Sequence, residues 1–396
     1  MKKTNYLEIT GILALSLIIT STMAVSGSMP EILNYFADYE RSSVEMMLSI
    51  PTASILLIIA VTPILLRYVP QCIMITVGLV MIGVFGVLPA FVSSFPLIFM
   101  SRIALGIGIG LLNTCAVTLI GERFEGETRQ KLQGIRCSME TLGESALIFT
   151  AGILLPYGWQ KTFWIYGFAL IILILYVMFV PAKSASDTVA ESQNRPADSR
   201  PMTKKEWKFT LKNALIGFLF VSFATANALR ISSFIVEGGF GSSVNGSNVL
   251  SLSILSGFLG GLAFGKLISL LRKLLLPATA LSASVGLLII CFANSLFMVA
   301  AGACICGFFT TVATSSMFAS ISDTVPAEVL GTSNAIALVG CNIGATVTPV
   351  LLKGFGMIHI TGISELQIGF LSYGVIFVCL TVITYIRAKG PRHVAD

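Results

Sequence analysis

Long apolar runs separated by short polar stretches dominate the chain from end to end. Each run is about 18–26 residues long, and a helix needs about 20 apolar residues to cross the hydrocarbon core of a bilayer. The runs lie at 7–29, 44–66, 71–91, 96–120, 132–155, 162–179, 210–235, 249–268, 275–292, 296–321, 329–352 and 368–386. They lack the alternation over about ten residues that is typical of membrane β-strands. The pattern therefore predicts an all-α membrane protein with about twelve transmembrane helices, named spans 1 to 12 in chain order.

One polar stretch is much longer than the others. The segment PAKSASDTVAESQNRPADSRPMTKKEW, at 181–207, is rich in Ser, Ala, Pro and charged residues, which is typical of a linker that does not pack. It predicts an amino-terminal six-helix bundle over 1–181, a linker over 182–209 and a carboxy-terminal six-helix bundle over 210–396.

A faint internal repeat indicates that the two halves are related. Gly134 and Gly143 lie nine residues apart in span 5, and Gly331 and Gly340 have the same spacing in span 11. The two pairs are separated by about half the chain, as expected for two pseudo-symmetric six-helix bundles.

The distribution of lysine and arginine predicts the orientation. With the amino terminus inside, the linker and most basic loop residues, Arg67 and Arg272 among them, are cytoplasmic, and only Arg41, Lys161 and Lys353 fall outside. The positive-inside rule favours this arrangement, with both termini cytoplasmic in a multi-pass protein of the cytoplasmic membrane. The first apolar run is longer than that of a signal peptide, so we interpret it as a retained span.

Composition narrows the class of protein further. Only 11% of residues are charged, against about 25% in soluble domains, so the net charge of +6 indicates topology rather than nucleic-acid binding. The chain has two histidines and lacks a phosphate-binding G-x-x-x-x-G-K-[ST] motif, a nucleophile–histidine set and a cluster of metal ligands. We therefore expect no catalytic residue, metal or cofactor, and a monomer whose partners are a solute, protons and lipid.

Three motifs resemble those of bacterial members of the major facilitator superfamily. SRIALGIGIG in span 4 is similar to the family's arginine-then-glycine motif, with Arg102 as the arginine and Gly106 and Gly110 among the glycines. GERFEGETRQKLQG resembles the charged loop before span 5, and YGWQKTFWIYG resembles the passage into span 6. The resemblance implies alternating access around a cavity lined by spans 1, 4, 7 and 10.

The chain departs from the family pattern in three places. The loop between spans 2 and 3 keeps only Arg67 of the usual Gly-x-x-x-Asp-Arg-x-Gly motif, and Ser269 replaces the aspartate of the second copy. Span 5 has Leu147 and Ile148 where drug–proton antiporters carry a Gly-Pro pair. These departures put the usual cytoplasmic charge relay in doubt and count against a drug antiporter.

Two arginines fall inside apolar runs, where a charge costs about 2.5–3.5 kcal/mol on insertion scales. Arg102 shares a helix face with Gly106, Gly110 and Asn113; it either lines the cavity or bonds carbonyls of a neighbouring helix. Arg230 shares a face with Asn227 in span 7 and is our preferred contact for an anionic solute group. The alternative is an Arg230 that extends to the outer interface with Glu237 as its partner.

A column of ionisable residues follows span 5. Arg136, Glu140 and Glu144 are four residues apart, so they lie on one face. Glu144 falls near the middle of the bilayer, where it either exchanges a proton as access alternates or forms a static ion pair. Glu140 is a weaker candidate for proton coupling, because Arg136 can neutralise it.

Hydroxyl and amide side chains complete the predicted binding site. They are Thr22 and Ser26 in span 1, Asn113 in span 4 and Thr314 in span 10. Such hydroxyls also commonly bond their own helix backbone, which remains the alternative.

The preferred hypothesis is a secondary active transporter, coupled to protons, for a small anionic or zwitterionic solute. A drug–proton antiporter for amphipathic cations is the alternative in the same class. A membrane receptor that does not transport is the alternative in another class.

Overall fold

The structure is a computed structural model that describes residues 6–65, 68–123, 126–180, 201–359 and 361–389. Arg67 and linker residues 182–200 lie outside this part. Almost all of the described backbone is helical, and it contains no strand. Ten of its helices are long and apolar enough to cross a membrane, and a bent helix pair at the amino terminus raises the number to eleven. The prediction of an all-α membrane protein is confirmed.

The helices follow the predicted order along the chain. Span 1 comprises Tyr6–Ile19 and Met29–Tyr35, span 2 is Arg41–Leu65, span 3 is Gln71–Val87, span 4 is Phe95–Arg123, span 5 is Gly126–Leu154, span 6 is the 3-10 helix Trp159–Gly167 continued by Phe168–Phe179, span 7 is Lys204–Glu237, span 8 is Ser243–Leu271, span 9 is Leu275–Cys291, span 10 is Leu296–Thr324, span 11 is Ala327–Gly356 and span 12 is Glu365–Lys389. Spans 8 and 9 count as one of the ten because only the short turn Arg272–Leu274 separates them.

The chain forms two compact units. One contains Met1–Asp198 together with Ser243–Ser251, and the other contains Ser199–Ser242 together with Leu252–Asp396. In the first unit span 1 packs against spans 4, 5 and 6, and span 4 packs against spans 2 and 3. In the second unit span 7 packs against spans 10 and 11, and span 9 packs against spans 10 and 12.

Two of the four glycines of the predicted repeat, Gly143 and Gly340, mark corresponding helix crossings in the two units. A Cβ atom on Gly143 of span 5 would lie 2.2 Å from the carbonyl oxygen of Leu17 in span 1. A Cβ atom on Gly340 of span 11 would lie 2.5 Å from the carbonyl oxygen of Ala214 in span 7. The same offset of 197 residues separates Gly143 from Gly340 and Leu17 from Ala214. Glycine therefore allows close backbone contact at equivalent places in both halves.

Span 7 begins earlier than the apolar pattern predicts. Its first turn is polar, and a capping box fixes it: the Thr203 hydroxyl accepts from the Glu206 backbone N–H, and the Glu206 carboxylate accepts from the Thr203 N–H. These two bonds satisfy amide groups that a helix end otherwise leaves without partners.

Candidate functional site

Span 1 is interrupted near its middle. Between Ile19 and Met29 two short 3-10 turns, Ser21–Met23 and Ser26–Ser28, replace the α-helix, and the chain bends by 44°. The predicted site residues Thr22 and Ser26 both lie in this interruption, Thr22 half-buried and Ser26 fully buried. The Ser26 hydroxyl has no hydrogen-bond partner within the described part of the chain. Interrupted helices are typical of the places where transporters bind solutes and ions, because they present unpaired backbone and hydroxyl groups.

Arg102 of span 4 is fully buried beside this interruption. Its Nη2 atom donates to the Tyr166 hydroxyl at 2.7 Å, and that hydroxyl donates to the Ser21 carbonyl oxygen at 2.9 Å. The guanidinium carbon lies 4.8 Å from the ring centre of Tyr166 and 5.3 Å from that of Phe163. The described residues place no carboxylate within ion-pair distance of Arg102, and its Nε and Nη1 atoms have no partner among them. Aromatic faces and one hydroxyl therefore hold this charge.

The glycines that follow Arg102 position span 4 against span 2. A Cβ atom on Gly106 would lie 2.4 Å from the Pro51 carbonyl oxygen, and one on Gly110 would lie 3.0 Å from the Ile58 side chain. The face of span 4 that the sequence predicts, which carries Gly106 and Gly110, thus packs closely against span 2. Asn113, further along span 4, is half-buried.

The acidic column on span 5 divides into one pair and one separate carboxylate. Arg136 and Glu140 form an ion pair one helical turn apart, and the Glu140 carbonyl oxygen accepts a hydrogen bond of 2.9 Å from the Thr20 hydroxyl. Glu144 is half-buried and has no hydrogen-bond or ion-pair partner among the described residues. Its neighbour Gly143 makes the close contact with span 1.

Asn227 and Arg230 of span 7 reach toward two different helices. Asn227 is buried beside Cys306 of span 10, and its side-chain oxygen has no hydrogen-bond partner among the described residues. Arg230 is only 2% exposed, and its Nη2 atom lies 3.4 Å from a carboxylate oxygen of Glu365, at the start of span 12. Glu365 itself is 52% exposed, so the ion pair joins a buried cation to a carboxylate that water can reach.

The Thr314 hydroxyl of span 10 bonds its own helix. It donates to the carbonyl oxygens of Thr310 and Thr311, each at 3.1 Å. This is the backbone bonding that membrane helices commonly show for threonine.

The sequence interpretation overlooked three residues that contact the predicted ones. Tyr166 and Phe163 enclose Arg102, and Glu365 pairs with Arg230. Each lies far from its partner along the chain, so helical spacing gave no indication of the contact. One local signal existed: Glu365 is an acid at the start of an apolar run.

Comparison with known proteins identifies the family. The family model described as Major Facilitator Superfamily matches residues 11–271 and 237–396. The facilitated trehalose transporter Tret1 of Polypedilum vanderplanki is 41% identical over 91 residues, which are 23% of this chain and 18% of that protein. The match therefore spans less than a fifth of that relative's length.

Solved structures show the same fold at low sequence identity. Two structures of POT family transporters, one with a thioalcohol-conjugated peptide and one with 5-aminolevulinic acid, superpose with TM-scores of 0.75 and 0.76. Each alignment has 12% identity and covers 97% of both chains. At this identity the likeness establishes the fold alone.

The helical architecture defines a polytopic membrane protein, and the family match supports a transporter of solutes. The match of the family model across most of the sequence makes the assignment specific. The chain belongs to the Major Facilitator Superfamily.

Proposed function

We propose that this chain is a secondary active transporter that couples movement of a small anionic or zwitterionic solute to movement of protons by alternating access. One observation carries the proposal: Arg102 in span 4 and Glu144 in span 5 both lack an ion-pair partner among the described residues. An ionisable side chain inside a membrane protein is costly, and its usual uses are solute binding and proton transfer. Both groups belong to the amino-terminal unit.

Glu144 is our candidate for the proton carrier. Arg136 holds Glu140 in an ion pair, so Glu140 is already neutralised. Glu144 has no such cation among the described residues. A carboxyl group that lacks a cationic partner is much less costly in an apolar environment when it is protonated. Access to water from either side of the membrane then allows it to release or take up a proton.

The arginines support an anionic or zwitterionic solute. A guanidinium group binds a carboxylate, phosphate or sulfonate with two parallel hydrogen bonds. Arg230 already lies against the carboxylate of Glu365, which is the chemistry that a solute carboxylate would offer. Because Glu365 is half-exposed, it can give way to a solute without leaving a buried charge of its own. Arg102, at the interruption of span 1, is the second candidate contact.

The direct test is transport by the purified protein in proteoliposomes. A thermal-shift screen against organic acids, amino acids, sugars and cationic dyes first identifies the solute, since specific binding raises stability. We expect a pH gradient to drive accumulation of that solute and a protonophore to abolish it. Glu144→Gln should retain exchange of labelled for unlabelled solute but lose accumulation, whereas Asp38→Asn, at an exposed acid, should retain both. Full accumulation by Glu144→Gln would assign coupling to another residue.

A second candidate is export of amphipathic cations in exchange for protons. The lack of a described cation beside Glu144 favours it, because a cationic solute would fill that role. The same screen separates the two candidates: stabilisation by cationic dyes that Glu144→Gln abolishes would indicate the exporter.

We also propose that both termini and the linker are cytoplasmic. The basic residues of the short loops support this orientation. Single cysteines introduced at Ser192 in the linker and at Asp38 provide the test. A reagent that cannot cross the membrane should label position 38 in intact cells and position 192 only after permeabilisation.

A further inference from the structure

A cavity of about 350 Å³ lies in the carboxy-terminal unit. It is formed by the third and fourth turns of span 7, the end of span 8 with the short turn that follows it, the first turn of span 9, the last turns of span 10, and Thr384 near the end of span 12. Because successive spans cross in opposite directions, these ends all lie on the membrane face that the linker enters. The positive-inside rule assigns this face to the cytoplasm.

Cations predominate among the charged residues of the cavity. Lys212, Arg272 and Lys273 line it, and Asp323 is the only acid among its described lining residues, so the lining carries an excess of two positive charges. We call these four residues and the space between them the basic pocket. Arg272 and Lys273 are exposed, and neither forms an ion pair or side-chain hydrogen bond with any residue that the structure describes. The pocket therefore has cationic donors available for a ligand.

Three of the other polar side chains of the pocket are already engaged, and the remaining one, Ser320, carries no charge. Asn213 donates to the Phe209 carbonyl oxygen, Ser316 to that of Ala313, and Thr384 to that of Leu380. These side chains bond their own helices, so recognition in the pocket depends on the cations. Arg and Lys side chains without such bonds favour an anion with several acceptor oxygens.

The backbone at Arg272 supports a role for its side chain. Arg272 has φ 46°, and among the described residues it is the only one other than glycine with a positive φ. This left-handed conformation is sterically unfavourable for arginine and is readily adopted by glycine. A short turn between two spans would therefore normally carry glycine here, whereas this chain places a guanidinium group at the mouth of the cavity.

The remaining walls and the surroundings are apolar. Ile216, Ile268 and Met317 line the cavity, and Leu270 and Leu274 beside it are exposed. Trp207, at the start of span 7, is also exposed, and tryptophan is typical of the level of lipid headgroups. A pocket with cations at its mouth and apolar walls fits an amphiphile with an anionic head. Basic pockets between helices on this membrane face bind phosphorylated headgroups in other proteins.

We propose that the basic pocket binds a phosphate-bearing anion through Arg272 and Lys273, neither of which is among the proposed transport residues. An anionic phospholipid headgroup and a soluble organic phosphate share this chemistry. The proposal concerns the fold and its charges, so it stands independently of the solute and of proton coupling.

The test measures binding to the full-length protein in detergent through the shift of its unfolding temperature. The probes are dihexanoyl phosphatidylglycerol, dihexanoyl phosphatidylcholine, glycerol 3-phosphate and inorganic phosphate. Removing each cation should weaken binding of the anionic probe about fivefold, which corresponds to about 1 kcal/mol per basic residue. The variants are Arg272→Gln, Lys273→Gln and the double variant, with Lys266→Gln as a control outside the pocket.

Arg272→Gly separates the charge from the backbone. It removes the guanidinium group and also the steric cost of the left-handed conformation, so it should bind as weakly as Arg272→Gln without losing stability. Stabilisation by phosphatidylglycerol alone would identify the ligand as lipid, and stabilisation by glycerol 3-phosphate as well would identify a soluble phosphate. The proposal is wrong if no anionic probe stabilises the unmodified protein, or if the double variant binds as tightly as Lys266→Gln.

Discussion

The Arg102 guanidinium donates a hydrogen bond to the hydroxyl of Tyr166, and both side chains are completely buried. The Tyr166 hydroxyl in turn donates a hydrogen bond to the Ser21 carbonyl oxygen at the interruption of span 1. In the other half, the Tyr373 hydroxyl of span 12 hydrogen-bonds to Ser222 of span 7. Each half thus joins its first and sixth helices through a tyrosine–serine contact, and the amino-terminal half adds an arginine to it.

The first prediction concerns the Tyr166 hydroxyl. Tyr166→Phe keeps the aromatic face beneath Arg102 but removes the oxygen that links the guanidinium to span 1. Leaving a buried polar group without its partner costs about 1–3 kcal/mol, so we expect a loss of that size in the free energy of unfolding. Chemical denaturation of the purified protein in detergent measures it.

The matched control is Tyr157→Phe, because the Tyr157 side chain is 68% exposed and water can solvate its hydroxyl. It should leave the free energy of unfolding unchanged. Equal effects of the two substitutions would mean that the Arg102–Tyr166–Ser21 chain of hydrogen bonds contributes nothing specific.

The second prediction separates the structural role of Arg102 from its role in transport. Arg102→Met keeps much of the side-chain volume but removes a buried charge that has no carboxylate partner among the described residues. Replacing buried ions with apolar residues is often neutral or stabilising, and here the lost contacts with Tyr166 and Phe163 offset part of the gain. We expect the free energy of unfolding to change by no more than about 1 kcal/mol.

Transport should respond differently from stability. If Arg102 binds the solute, its loss should raise the solute Kd at least about tenfold, which corresponds to about 1.4 kcal/mol. Isothermal titration with the identified solute measures this change. Unchanged affinity together with a large loss of stability would show that Arg102 is structural.

The fold was predictable because bilayer thickness imposes a length on each apolar run. The run at 71–91, for example, agrees with span 3 at its start, Gln71. The interruption of span 1 was not predictable in this way, since Thr20 to Ser28 remain apolar enough to extend the run. Hydropathy averages over side chains, whereas the interruption depends on the contacts of individual backbone groups, such as the Ser21 carbonyl oxygen.

Of the candidate site, only the charged residues could be predicted from the sequence. Arg102, Arg230 and Glu144 are conspicuous because charge is rare in apolar runs. Their surroundings depend on contacts between distant segments: Tyr166 lies 64 residues from Arg102, and Glu365 lies 135 residues from Arg230. Helical spacing relates residues within one span, so it cannot reveal such partners.

The third prediction tests the repeated helix crossing. In Gly143→Ala the new methyl group would lie 2.2 Å from the Leu17 carbonyl oxygen, and in Gly340→Ala it would lie 2.5 Å from that of Ala214. Backbone cannot yield as a side chain does, so spans 1 and 5, or 7 and 11, must separate. We expect each substitution to cost about 1–3 kcal/mol or more in stability.

Gly331→Ala is the control for this prediction, because a Cβ atom at Gly331 has no neighbour within 4 Å. Alanine should stabilise span 11 there by about 0.5–1 kcal/mol through helix propensity. Thermal unfolding of the three variants, followed by size-exclusion chromatography, gives the comparison. A stable Gly143→Ala protein would contradict the close contact of spans 1 and 5.

The fourth prediction concerns the pair formed by Arg230 and Glu365. Glu365 is 52% exposed, so solvation of its carboxylate by water weakens the stabilisation that the ion pair provides. Glu365→Gln should therefore lower the free energy of unfolding by no more than about 1 kcal/mol. The same change removes a carboxylate that competes with the solute for Arg230. If the solute is anionic, its Kd should therefore fall in Glu365→Gln and rise at least about tenfold in Arg230→Gln.

Opposite effects of the two substitutions are the signature of competition for one guanidinium. Asp38→Asn, at an exposed acid in the amino-terminal unit, controls for the general loss of negative charge and should leave the Kd unchanged. A structural ion pair predicts another outcome, in which Glu365→Gln and Arg230→Gln both destabilise the protein and neither changes solute affinity. Titration of all three variants at two salt concentrations distinguishes these cases, because salt screens an exposed charge more strongly than a direct contact with a buried one.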